Sequence, residues 1–165
     1  MLPTYDVPAM NIATPDDMRA FGRALADALR PGDLVLLSGP LGAGKTTLTQ
    51  GIVAGVGGNG PVVSPTFVIA RVYRGGRMPV LHVDAYRIGS VAEIDDLDLD
   101  ASTDEAVTIV EWGNGLVEGL VDDHLEVRIA RPIGGDMDVE VEPRTVEIIG
   151  YGHRWADVEL PAAAR

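Results

Sequence analysis

The chain of 165 residues is 46% hydrophobic and carries a formal net charge of -12 with no cysteine. That is enough apolar material for one globular domain, while the missing thiols exclude disulfides and thiolate metal sites. The acidic balance argues against a chain that grips a large nucleic acid through its own surface, because phosphate binding needs clustered Lys and Arg.

Residues 1–12 are expected to form a loosely attached tail, and MLPTYDVPAMN has no basic segment leading into an apolar run. No apolar run approaches the roughly 20 residues that span a bilayer, so a cytoplasmic location is the expectation. From Thr14, TPDDMRAFGRALADALRPGD reads as a helix. Thr14 can cap it, Pro15 suits the first turn, and Asp16 and Asp17 favour its positive end. Met18, Phe21, Leu25 and Ala28 or Leu29 recur at helical spacing before Pro31 and Gly32 end it.

The apolar run 33–38 (DLVLLS) reads as a buried strand, residues 44–56 as a helix, and the turn residues 57–60 with Pro61 as its stop. Runs 67–74 and 79–86, separated by Gly75 and Gly76, and the run 106–112 (AVTIVEW) are further strands. Residues 124–131 and 139–150 alternate more and are expected nearer a sheet edge, with 153–165 as a second loose tail. The sum is an α/β fold: one P-loop NTPase-like domain over residues 1–165, with a central, largely parallel sheet flanked by helices. Residues 93–105 carry seven acidic and no basic side chains and read as a solvated loop with a short helix.

One short stretch carries chemistry. Of 13 basic residues, 12 are arginine, and the single lysine, Lys45, lies in GPLGAGKTT. Gly39, then four residues, then Gly44, Lys45 and Thr46 match the P-loop pattern between a strand and a helix. Glycines at 39, 42 and 44 let the backbone point successive N–H groups at phosphate, and the helix presents its positive end to the same anion. A compact ammonium on a flexible stem suits the terminal phosphates where the rigid fork of arginine does not. The Thr46 hydroxyl would bind magnesium. Guanine readers use Asn-Lys-x-Asp, and no lysine remains to make one, so the nucleotide is expected to be ATP.

A magnesium-nucleotide site needs a carboxylate at a neighbouring strand end. Asp84 and Glu111 both qualify, and the pattern alone does not choose between them. In VLHVDAYR the period of two sets His82, Asp84 and Tyr86 on one side. Thr66, in SPTF, sits where a switch segment would pass the terminal phosphate. Arg87 reads as a partner for a carboxylate, Trp112 by its type as core, and His124 and His153 carry no signal.

In this order and spacing, GPLGAGKTT, SPTF, HVDAYR and IVEW closely resemble the bacterial TsaE family, the ATPase component of tRNA threonylcarbamoyladenosine biosynthesis, over about residues 14–144. The resemblance implies a P-loop α/β fold that binds ATP and magnesium and hydrolyses ATP weakly alone. It implies work with the TsaD and TsaB proteins, which modify adenosine 37 in tRNAs reading codons that begin with A, and contact with tRNA only through that complex. It casts Lys45 as the phosphate holder, Thr46 and Glu111 as magnesium ligands, Asp84 as the aspartate of HxDxYR, and Thr66 as the switch threonine. Thr14, Asn114 and Arg144 fall where the family lines its nucleotide pocket. The candidate nucleotide contacts are completed by Gly39, Gly42, Ala43, Gly44, Thr47 and Trp112 of the motifs themselves. The family loop commonly reads GDLGAGKT; Pro40 stands here in place of that Asp, which removes a side chain but none of the phosphate-facing amides expected.

Two other readings fit a short P-loop domain. A small-molecule kinase would need an arginine-bearing lid, for which Arg71, Arg74 and Arg77 are the candidates. A nucleotide-gated binding module would use ATP to order residues 64–67, with hydrolysis incidental.

Overall fold

The computed structural model describes residues 3–40, 42, 44–63, 70–84, 104–111, 123–131 and 143–161, with Asp84 described in its backbone. In chain order these form β1 (Thr4–Ile12), α1 (Pro15–Ala26), β2 (Leu34–Ser38), α2 (Lys45–Gly55), β3 (Ala70–Tyr73), β4 (Val80–Asp84), β5 (Val107–Glu111), β6 (His124–Ala130) and β7 (Arg144–Tyr151), followed by a 3-10 turn at His153–Trp155.

The strands pair into one sheet of order β1-β7-β6-β2-β5-β4-β3. Its centre, β6-β2-β5-β4, is parallel, and β3, β7 and β1 run antiparallel to their neighbours. The middle strands read as near-continuous apolar runs because both of their faces are buried. Leu34, Val35, Leu36 and Leu37 of β2 are all at most 4% exposed. The expected central parallel sheet is therefore present, with antiparallel margins.

Helices α1 and α2 cover one face. Met18, Phe21 and Leu25 of α1 and Leu48, Ile52 and Val53 of α2 share a core with Val35, Leu37, Ile109 and Val127. The two helices meet at backbone distance: a Cβ on Gly51 would run into the carbonyl group of Arg19, and one on Gly22 into the carbonyl oxygen of Leu48. Only glycine admits that approach. Leu36, Val110, Leu81 and Val83, which alternate with the core residues, are buried as well.

Three expectations are corrected. Residues 4–12 are no loose tail but an edge strand paired to β7 from Thr4↔Tyr151 to Ile12↔Arg144. The register breaks between Val7 and Met10, which lets Pro8, unable to donate a ladder hydrogen bond, sit at an irregularity. Nor is the C-terminal segment loose over its described part: Trp155 is 1% exposed and packs on Gly150, where a side chain would collide with it. Arg154 grips Asp33 in a bidentate ion pair, lies 4.4 Å over the Trp155 ring, and donates to the Ala28 carbonyl. Finally, β6 lies inside the sheet, between β7 and β2, rather than near an edge. At the sheet end where β2 begins, the Gly152 N–H donates to the Pro3 carbonyl at 2.9 Å.

Candidate phosphate-binding site

Strands β2, β5 and β4 end side by side: Leu37 pairs with Glu111, and Glu111 with Asp84. In a parallel α/β sheet the crevice at these carboxyl ends is where ligands bind. The chain leaves β2 at Ser38, passes through the glycine loop and enters α2 at Lys45.

Gly42 (φ 77°) and Gly44 (φ 114°) adopt left-handed backbone that L side chains avoid, so the glycines read in the motif are required by the turn itself. A Cβ on Gly44 would also come 3.4 Å from Cε of Met18, which ties the loop to α1. Gly44 caps α2 without a side-chain hydrogen bond, so no capping oxygen from its own N-cap competes for the first-turn amides. Those amides and the helix dipole favour an anion.

Lys45 is only 6% exposed, and its Nζ donates to the Gly39 carbonyl at 2.7 Å, closing the loop on itself. Thr46 and Thr47 follow on the first turn, half-buried, and the Thr49 hydroxyl donates back to the Lys45 carbonyl at 2.9 Å. Arg144 donates through Nη2 to the Gly42 carbonyl at 3.3 Å. Thr14 follows Ile12, the register partner of Arg144, and its hydroxyl accepts from the Asp17 N–H at 3.0 Å as the cap of α1. Thr14 and Arg144 thus lie at the sheet end where β2 opens into the loop.

Glu111 ends β5 at 3% exposure, and its Oε2 lies 2.9 Å from Nε2 of His82, which is fully buried. The structure therefore gathers Gly39, Gly42, Gly44, Lys45, Thr46, Thr47, Arg144 and Glu111 at one end of the sheet, with the Asp84 backbone in register beside Glu111. Ala43, Thr66, Trp112, Asn114, Tyr86 and Arg87 lie outside the described residues. Of the lid candidates for a kinase, Arg77 is used elsewhere: it donates to the Leu29 and Ala26 carbonyls that end α1, far from the loop.

Sequence reasoning missed two features. Arg131 directly follows β6, and its Nη1 lies 3.2 Å from where a Cβ on Gly42 would be, so a second guanidinium flanks the loop. Its signal was positional: a basic residue just past a strand that parallels the P-loop strand. The other is Glu126, 2% exposed in β6, which accepts from Ser38 Oγ (3.2 Å), Arg128 Nε (2.9 Å) and Nη2 (3.3 Å), and Tyr151 Oη (3.3 Å). His124 stacks on Tyr151 at 4.6 Å between ring centroids, so the histidine without sequence signal is a buried packing residue. The hydrogen bond that Arg128 donates to Glu126, outweighing partial burial, raises the pKa of Arg128 above the usual arginine range.

Among the described residues no group of three or more His, Asp or Glu side chains could hold a metal ion by itself. Magnesium at a nucleotide site takes one or two protein oxygens and completes its shell with phosphate and water. The Thr46 hydroxyl and the Glu111 carboxylate match that donor chemistry. No described helix is long and apolar enough to cross a membrane.

Against known proteins, the family model for "Threonylcarbamoyl adenosine biosynthesis protein TsaE" matches residues 12–136. The chain is 53% identical over 150 residues to the tRNA threonylcarbamoyladenosine biosynthesis protein TsaE of Streptomyces coelicolor, covering 89% of this chain and 99% of that one. The protein of the same name from Mycobacterium leprae is 48% identical over 125 residues, 70% of this chain and 78% of that one. That of Bacillus subtilis is 38% identical over 128 residues, 77% and 78% of the two chains. A crystal structure of Bacillus subtilis YdiB superposes with a TM-score of 0.71 at 28% identity, covering 94% of this chain and 91% of that one.

Proposed function

The chain belongs to the TsaE family of tRNA threonylcarbamoyladenosine biosynthesis, and from that premise we propose that it binds ATP with magnesium on the loop between β2 and α2 and hydrolyses it in support of that modification, acting with TsaB and TsaD. The observation that carries this reading is the loop itself: a buried lysine held at 2.7 Å from the Gly39 carbonyl, at the uncapped start of α2, with a buried carboxylate on the adjacent strand.

The chemistry asked of the protein is positioning and charge neutralisation. Lys45 is already ordered and largely desolvated, so it gains a phosphate oxygen by exchanging one oxygen partner for another. The glycine amides and the α2 dipole bind the same anion along its length. Thr46 and Glu111 would hold magnesium, which would supply neutralisation of the phosphate charge. Asp84, in register beside Glu111, and Thr66 are the residues to orient attacking water. Arg144, expected from the family resemblance, and Arg131, which sequence reasoning did not offer, add positive charge beside Gly42. The acidic surface fits a protein that reaches tRNA through partner proteins rather than by its own grip.

The test is ATP turnover by the purified chain, alone and with TsaB and TsaD, with Lys45→Ala as the blank. Expected are slow turnover alone, strong stimulation by the partners, and a loss of about 10²–10³ in the variant. Partner-independent turnover that survives Lys45→Ala would refute the reading.

A further inference from the structure

His82 is the most deeply buried ionisable side chain next to the proposed site, at 0% exposure, and nothing in the reading above uses it. Taking an imidazole out of water is unfavourable unless its nitrogens find partners. Among the described residues only one does: Nε2 lies 2.9 Å from Oε2 of Glu111, while Nδ1 meets no partner there. The Tyr73 ring is tilted against the imidazole at 6.5 Å between centroids and satisfies neither nitrogen.

The register defines what this single bond does. His82 pairs with Ile109, one pleat behind the Asp84 and Glu111 pair, so it reaches Glu111 from the interior side and stands back from the crevice. The tautomer that serves a carboxylate carries its proton on Nε2 and leaves Nδ1 as an unpaired acceptor, whereas the other tautomer would set two acceptors face to face. Oε2 of Glu111 is thereby fixed from behind, and Oε1 is the oxygen left for a ligand. From this geometry we propose that His82 is a positioning residue: it orients the Glu111 carboxylate for magnesium without touching nucleotide or metal. The inference rests on the proposed magnesium-nucleotide site and adds to it a residue with a defined task. Hydrogen-bonded supports behind a ligating carboxylate set its direction and basicity.

The experiment compares binding of a non-hydrolysable ATP analogue in magnesium and in EDTA, by titration calorimetry, for wild type, His82→Leu and His82→Gln. Expected is a loss of about 10- to 100-fold in the magnesium-dependent part of the affinity for His82→Leu, with metal-free binding changed by no more than about twofold. His82→Gln, which can return an N–H near the Nε2 position, should recover most of the loss. Equal losses with and without metal would mean a merely structural role and overturn the proposal, as would wild-type behaviour of both variants. Should His82→Leu not fold, wild type alone decides by NMR: the His82 Nε2 proton, sheltered from exchange, should shift when magnesium is added to the analogue complex. An unmoved resonance overturns the inference. If wild-type binding shows no magnesium dependence at all, the proposed function fails first and the role of His82 falls with it.

Discussion

Asp33 and Arg154 stand 121 residues apart and meet in a bidentate pair, Nε to Oδ1 and Nη2 to Oδ2, both at 2.9 Å. The side chains are 5% and 10% exposed, and Asp33 also accepts from the Arg30 N–H at 2.8 Å, so each charge is well supplied with partners. Arg154→Met would leave a buried carboxylate without its counter-charge. The expected cost is about 3–5 kcal/mol of folding stability, read by urea denaturation; a loss below about 1 kcal/mol would show that solvent reaches Asp33 easily. Nucleotide binding at low temperature should be spared, because the pair lies at the opposite end of β2 from the loop.

Gly51→Ala tests the helix contact. Alanine is the better helix former by about 1 kcal/mol, so an isolated α2 would gain. Here its methyl would meet the backbone of Arg19, and the helices must part. Net destabilisation of about 1–3 kcal/mol is expected, with weaker nucleotide binding because α2 carries Lys45. A stabilised variant would mean that α1 can yield.

Arg144→Gln removes a guanidinium that touches the loop through the Gly42 carbonyl. A charge-assisted bond from this guanidinium to phosphate would be worth about 1.5–3 kcal/mol, so ATP affinity should fall by about tenfold or more, while loss of the exposed bond to Gly42 should change the melting temperature little. Calorimetry with ATP checks the first part and a thermal melt the second. Unchanged affinity would restrict Arg144 to holding the loop.

The Arg128 and Glu126 pair makes a prediction about pH. A base whose pKa is raised by folding contributes stability that is complete below its unfolded value and is lost only as pH climbs through the folded one. For Arg128 that window lies above the usual arginine range. The stability difference between wild type and Arg128→Gln should therefore stay flat from about pH 6 to about pH 10. A difference that shrinks inside that interval would assign the titration to another group.

Local signals carried far in this chain. Thr14, Pro15 and two aspartates announced α1, and an apolar run against a glycine loop announced β2, the turn and α2, because capping, backbone conformation and burial period act over a few residues. What stayed hidden depends on distant partners. TYDVPAMNI is poor in burial pattern and interrupted by Pro8, and it is a strand only because β7 offers an edge. Trp155 and Arg154 follow a turn and gain their meaning from Gly150 and Asp33. His82 and Glu111 were visible as motif letters, but their bond depends on the register of β4 against β5, which no spacing within either run encodes. Of the two arginines beside Gly42, Arg144 was named through the family resemblance, whereas Arg131, just past β6, was legible only as a charge near a strand end.

The hydrogen bond between Gly152 and Pro3 also has a mechanical meaning. Thr4 and Tyr151 are paired, so force applied to both chain ends enters the sheet at one corner and must first strip Trp155 and Arg154 from their seats. Beyond that anchor, β1 and β7 would unzip one rung at a time along an outer margin. The loop-bearing strand β2, shielded by β6, lies off that load path, so tethering the molecule by its ends should leave the phosphate loop slack.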